Sequence, residues 1–286
     1  MRKKGFVISF STLLILMVMV FFAVFYSEKV EREEVMVMQG LAVEKAGFVA
    51  DDLVWDLNKL IGIGVDINRG EDFTLIHLSD VLPSEINAFE LNDWNAFVDG
   101  NYGTQQKAEI ELGLDELVDG KIELVFSNGL QFDHSYADSN YVHFFRRDGS
   151  DTGVTAYDIN VDVSGATYDS GNSTPWTCDN DQDVNVNLLF NGSVSSDCKQ
   201  DPTGSYSYEF AFQGISETLT VEYGNISSRE NSVKISTDLK SDVSVKIAIA
   251  AELPSPGSEI VWYYNADLNY SQGDVNVNRK FELGRA

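Results

Sequence analysis

Positive charge is what this chain has least of: 20 Lys and Arg stand against 45 Asp and Glu, leaving a formal net charge of −25. So acidic a molecule repels phosphate backbones, and nucleic-acid binding is excluded as its role. Histidine is limited to His77, His134 and His143, without zinc-type spacing and with no cysteine pair nearby, which excludes the common zinc modules. No Gly-x-Ser-x-Gly elbow, phosphate-cradling loop or dinucleotide fingerprint occurs; Gly62-Ile63-Gly64 lacks the third glycine and follows a helical pattern instead of a strand. Asp151-Thr152-Gly153 matches the aspartic-protease triplet by letters. That chemistry needs a second carboxylate sharing a proton, and the chain has no second Asp-Thr-Gly. No catalytic residue is assigned, and the expectation is a protein that is not an enzyme.

Charge is missing altogether from one stretch. Phe6 to Tyr26 hold 21 residues without a formal charge. As a helix they span about 31 Å, the hydrocarbon thickness of a bilayer. Arg2, Lys3 and Lys4 precede them and Glu28, Glu31, Glu33 and Glu34 follow, so the positive-inside rule places the N-terminus in the cytoplasm and the rest outside. A cleaved secretory signal ends in small residues, which Phe25-Tyr26-Ser27 does not offer. The expectation is a single-pass protein of the cell membrane, in contact with lipid, with an extracellular C-terminal head. Past Tyr26, residues such as Val37, Leu41, Phe48, Leu53, Leu57 and Leu60 keep a spacing of three and four. One helix is predicted from Phe6 to about Leu60, weakened by roughly 1 kcal/mol at each of Gly40 and Gly47 and stopped by Gly62 and Gly64.

Beyond Gly64 the period changes from helical to two. Strands are predicted at 73–78, 122–126, 141–145, 156–163, 184–190, 206–212, 218–223, 232–236, 243–250, 259–264 and 275–281. A second helix is predicted from Ser84, with Ile86, Phe89, Trp94 and Phe97 on its apolar side, while 107–117 fits helix and strand equally. Short strands divided by Gly, Asn, Asp and Ser suggest antiparallel pairing. The expected fold class is therefore α+β: a long N-terminal transmembrane-plus-stem helix followed by a mainly antiparallel, β-sandwich-like extracellular head. Its divisions are a basic leader (1–5), a transmembrane helix (6–26), an amphipathic stem helix (27–62) and the β-rich head (65–286). If the head divides, the seam is expected at 164–183, rich in Gly, Ser, Asp and Asn.

Lys3-Lys4-Gly5-Phe6-Val7-Ile8, basic residues and a glycine before the phenylalanine that opens an apolar helix, resembles the N-terminus of type IV prepilins and their archaeal relatives with class III signal peptides. The resemblance implies cleavage after Gly5 by a membrane prepilin peptidase, which leaves Phe6 as the new N-terminus. It also implies a helical stem that carries a β-rich head and packs with other pilin-like subunits through the N-terminal helix. One position departs from the pattern. Most major pilins have glutamate at the fifth mature position, where it meets a neighbour's terminal amine, and this chain has Phe10. An uncompensated amine in the membrane core is costly, which favours a minor component of a surface filament or pseudopilus over a main-fibre subunit. The alternative is a monotopic cell-surface adhesin or binding module held by an uncleaved anchor.

Cys178 and Cys198 are the only cysteines. Outside the cell such a pair is expected to oxidise, contributing about 3 kcal/mol by closing a short loop. Alternate carboxylates Asp179, Asp181 and Asp183 are candidate Ca²⁺ ligands, although Val184 and Phe190 stand where a calcium loop has glycine and glutamate. An acidic turn beside a disulfide is the simpler reading, and no other cofactor is expected. Asn172, Asn191, Asn225 and Asn269 begin Asn-x-Ser/Thr triplets that permit N-glycosylation. Trp262, Tyr263 and Tyr264, with Tyr270 nearby, suit either a sugar-stacking or partner-binding surface or plain core packing, and alternation sets Tyr263 opposite its two neighbours.

Overall fold

Sixty residues, Arg2–Ile61, form a single α-helix, α1. No proline occurs before Pro83, and neither Gly40 nor Gly47 interrupts the helix. It ends where Gly62 takes φ 74°, a left-handed conformation suited to glycine, with its N–H donating to the Asn58 carbonyl at 3.0 Å. The computed structural model describes residues 2–70, 73–82, 88–136, 140–147, 153–179, 182, 184–252 and 259–286.

The remainder is mostly strand. In chain order come β1 (Gly64–Arg69), β2 (Phe73–Leu82), α2 (Ala88–Phe97), a π-helical turn (Val98–Tyr102), α3 (Gly103–Gln106), β3 (Glu109–Gly113) and α4 (Asp115–Val118). Then follow β4 (Lys121–Phe126), β5 (Leu130–Ser135), β6 (Asn140–Arg146), β7 (Val154–Val163), β8 (Tyr168–Thr174), β9 (Val184–Phe190) and β10 (Val194–Gln200). The last six are β11 (Ser205–Phe212), β12 (Leu219–Ile226), β13 (Arg229–Thr237), β14 (Val243–Glu252), β15 (Val261–Gln272) and β16 (Val275–Arg285).

These strands form two sheets. The smaller has six strands in the order β1-β2-β14-β7-β9-β10; the larger has ten, β16-β15-β4-β5-β6-β13-β12-β11-β8, with β3 beside the far end of β15. Pairing is antiparallel except between β7 and β9. Those two are parallel because the chain leaves the smaller sheet after β7, adds β8 to the larger one against β11, and returns as β9. The stretch 164–183, marked as a seam if the head divides, thus carries a strand from one sheet to the other.

Strand alternation turns one face of each sheet inward. β2 buries Thr74, Ile76, Leu78, Asp80 and Leu82, every second residue. The inward-facing apolar residues of both sheets, the end of α1 and Leu91 of α2 belong to one contiguous core. Phe190 of the smaller sheet stacks on Phe210 of the larger at 4.4 Å, and Tyr157 meets Tyr223 edge-on at 5.7 Å. The Tyr157 hydroxyl donates to the Asn231 carbonyl at 2.7 Å, so this large buried side chain leaves no polar atom unpaired.

One predicted helix differs from what is found. The second helix does not bury the expected side: Phe89 and Phe97 are exposed, Trp94 is half-buried, and Leu91 and Val98 enter the core. The π-helical turn that follows α2 carries Val98 inward, one helical repeat after Leu91, and so fixes which face packs. Ser84 and Ile86 lie outside the described residues. The ambiguous stretch 107–117 resolves into β3 followed by the start of α4.

Candidate functional site

The least covered surface of the molecule is α1. From Leu13 to Tyr26 its side chains are all exposed, and the helix is long and apolar enough to cross a bilayer. A charged collar, Glu28 to Glu34, follows, within which Lys29 and Glu33 pair at 3.6 Å. Then comes a second apolar stretch. Val35, Met36, Val37, Met38, Leu41 and Val43 are all exposed. Four consecutive apolar residues cover the full circumference of a helical turn, unlike the one-sided stripe expected for an amphipathic stem. By helical rise this stretch lies about 14 to 26 Å beyond Tyr26.

Only about the last quarter of α1 is held by the head. Ala46, Val49, Ala50, Leu53, Leu57 and Ile61 recur at three- and four-residue spacing and are buried. The contact is mainly with β16. Polar bonds frame this seat: the Tyr264 hydroxyl donates to Asn58 Oδ1 at 3.1 Å, Tyr102 donates to Asp52 at 3.2 Å, and the Lys45 ammonium donates to the Gln106 carbonyl. Burial, and secondarily the nearby Asp80 carboxylate, raises the Tyr264 phenol well above its ordinary value and keeps it a donor. Behind it, His134 Nδ1 of the larger sheet and Asp80 Oδ2 of the smaller lie 2.6 Å apart, both buried. Stem, smaller sheet and larger sheet thus meet around polar groups within a few residues of one another.

The residues singled out in the sequence are dispersed. Gly5 and Phe6 lie in the first turns of α1. Cys178 and Cys198 form a disulfide with Cα atoms 5.1 Å apart, and Cys198 is buried on β10. Asp179 is exposed and its N–H donates to the Lys199 carbonyl, while Asp181 and Asp183 lie outside the described residues. Among the described residues no three metal-capable side chains converge. Asn172, Asn225 and Asn269 are exposed. Asn191 is half-buried, and its Oδ1 accepts the Val163 N–H at 2.7 Å. Asp151 and Thr152 lie outside the described residues. Tyr264 and Tyr270 are core residues, while Trp262 and Tyr263 are half-buried, Trp262 against Gly284 and Tyr263 beneath Lys280 at 4.8 Å. A register shift between Trp262 and Tyr263 disturbs the simple alternation.

One cluster was not anticipated. On the outer face of the larger sheet, register sets Glu123 opposite Asp133, Asp133 opposite His143, His143 opposite Lys234, and Lys234 opposite Glu222. Asp133 and His143 are only 6% and 5% exposed. Gln131 donates to Asp133 at 2.6 Å, and Arg229 lies 3.6 Å over the Phe145 ring with one nitrogen 3.8 Å from Asp133. Burial lifts the Asp133 carboxyl to about 6, and burial, with Arg229 and Lys234 adding to it, pushes the His143 imidazole down to about 4. Each is thereby biased towards its neutral form.

Comparison with protein-family models, curated proteins and solved structures returned no match. The geometry itself must carry the functional reading. No metal cradle is assembled among the described residues. What is assembled is a firmly seated helix with two exposed apolar stretches.

Proposed function

We propose that this chain is a membrane-anchored, exported, pilin-like structural subunit, with Phe6 to Tyr26 in the bilayer and an extracellular, sandwich-like head. The reading rests on one observation above the others: Val35, Met36, Val37 and Met38 make a full helical turn of exposed apolar side chains, continued by exposed Leu41 and Val43, although the charged collar separates them from the lipid-sized stretch. A helix apolar on every side needs partners on every side. Neighbouring stems supply them in a bundle, and Lys3-Lys4-Gly5-Phe6 supports processing by a prepilin peptidase. Phe10 in place of glutamate supports a minor place in a filament or pseudopilus.

The test is mass spectrometry of the mature terminus in protein taken from its native membrane. The expected first residue is Phe6, and an intact Met1 through Gly5 would rule out the processed subunit. In that event the second reading takes over, a cell-surface binding module on a permanent anchor. Cross-linking from a cysteine placed at Met38 then separates the two, since stems in a bundle give dimers and higher species and a solitary anchor does not.

A further inference from the structure

We propose that the outer face of the smaller sheet is a binding site for a neutral saccharide. The proposal goes beyond the anchor and does not depend on whether α1 assembles with other copies.

β14 runs through the middle of this sheet and turns Ser244, Ala248 and Ala250 outward, so its centre is low. Longer side chains on the flanking strands leave a groove of about 630 Å³, a volume within the ordinary range of small-molecule sites. Register builds its lining. Asp66 faces His77, His77 faces Ala248, Ala248 faces Asp158, and Asp158 faces Asn187, whose amide donates to it at 3.2 Å. In the next row Lys246 faces Asn160. Two carboxylates, an imidazole, an ammonium and two carboxamides therefore surround a methyl-floored depression.

The Oδ1 of Asn160 is buried and has no hydrogen-bond partner. Such an acceptor is unfavourable when left unmade, and a ligand hydroxyl would satisfy it. A sugar hydroxyl donates to one neighbour and accepts from another at once, which suits carboxylates interleaved with amide and ammonium donors, while the C–H face of the ring lies on Ala248. Other ligand classes fit less well. An anion meets two carboxylates against one lysine, a metal ion finds no three converging ligands among the described residues, and a peptide strand needs an unpaired edge where this is a sheet face.

The full chain, reconstituted in lipid nanodiscs because alkyl-maltoside detergents carry a sugar of their own, would be titrated calorimetrically with maltotriose, cellotriose, mannotriose and chitotriose. Saturable binding of at least one, with a Kd of about 1 mM or tighter, is expected. Ala248→Phe, which fills the groove, and Asp158→Asn, which removes one acceptor charge, should each weaken it at least about tenfold with an unchanged melting curve. If Ala248→Phe does not fold, the exposed Asp158→Asn carries the test alone. Silence from all four trisaccharides up to about 10 mM, binding that both variants retain in full, or saturation by CaCl₂ alone would each overturn the proposal.

Discussion

Asp133 and His143, neighbours across β5 and β6, have opposite effects on stability as pH changes. The folded value of about 6 for Asp133 lies above its unfolded value of about 3.9, so its contribution to stability is intact below about pH 4 and lost as pH rises to about 6. His143 is the reverse: a folded value of about 4 lies below about 6.5, so its contribution is intact above about pH 6.5 and lost as pH falls. In the wild type the two slopes largely cancel. We predict that Asp133→Asn exposes the histidine slope, its stability rising relative to wild type by on the order of 2 kcal/mol between about pH 4.5 and 6.5. His143→Gln should fall over the same window. Urea denaturation at several pH values measures both, and wild-type slopes in both variants would refute the pairing. Nothing in the sequence announced this pair, because residues ten apart become neighbours only through a hairpin register that no Asn-Gly turn declares.

The exposed and seated parts of the α1 stem call for different behaviour from chemically similar substitutions. Leu57 is fully buried, and Leu57→Ala is predicted to cost about 3 kcal/mol of head stability. Leu41 is 59% exposed, and Leu41→Ala should change head stability by less than about 0.5 kcal/mol while weakening any association of stems. Thermal denaturation of the two variants side by side decides it; equal losses would mean that the upper stem also packs on the head. The helix itself was legible because apolar residues keep helical spacing on both sides of the charged collar until Gly62 stops them. Strands were legible where β-branched residues alternate, as in Val184-Asn185-Val186-Asn187, which is β9. Others were not. β5 alternates only over Leu130-Gln131-Phe132-Asp133, too short a run without β-branched residues to stand out, and it buries both faces, while β8 and β10 are edge strands written largely in Ser, Asn and Asp. The β12–β13 hairpin extends further than expected because Ser227 and Ser228 both take positive φ, a turn geometry usually signalled by Asn-Gly. The saccharide groove draws its lining from five strands of the smaller sheet, which only the pairing order brings side by side.

For the molecule as a whole, the seat of α1 defines how much of the chain the head requires. Buried helix residues begin at Ala46, so a chain starting at Glu44 is predicted to stay folded, to need no detergent, and to melt within a few degrees of the full-length protein. Removing everything through Ile61 takes Leu53, Leu57 and Ile61 out of the core and should abolish the cooperative transition. Calorimetry on the two truncations tests this, and unfolding of the longer one would mean that the exposed stem contributes to the head. The unbroken backbone of α1 has a mechanical corollary. About 30 Å of helix separates Tyr26 from the first clamped residue, so, under the proposed anchoring, the segment is a lever whose angle is set in the bilayer. Each ten degrees of tilt displaces the near edge of the head sideways by about 5 Å, and a change in lipid thickness thereby becomes a change in lateral reach.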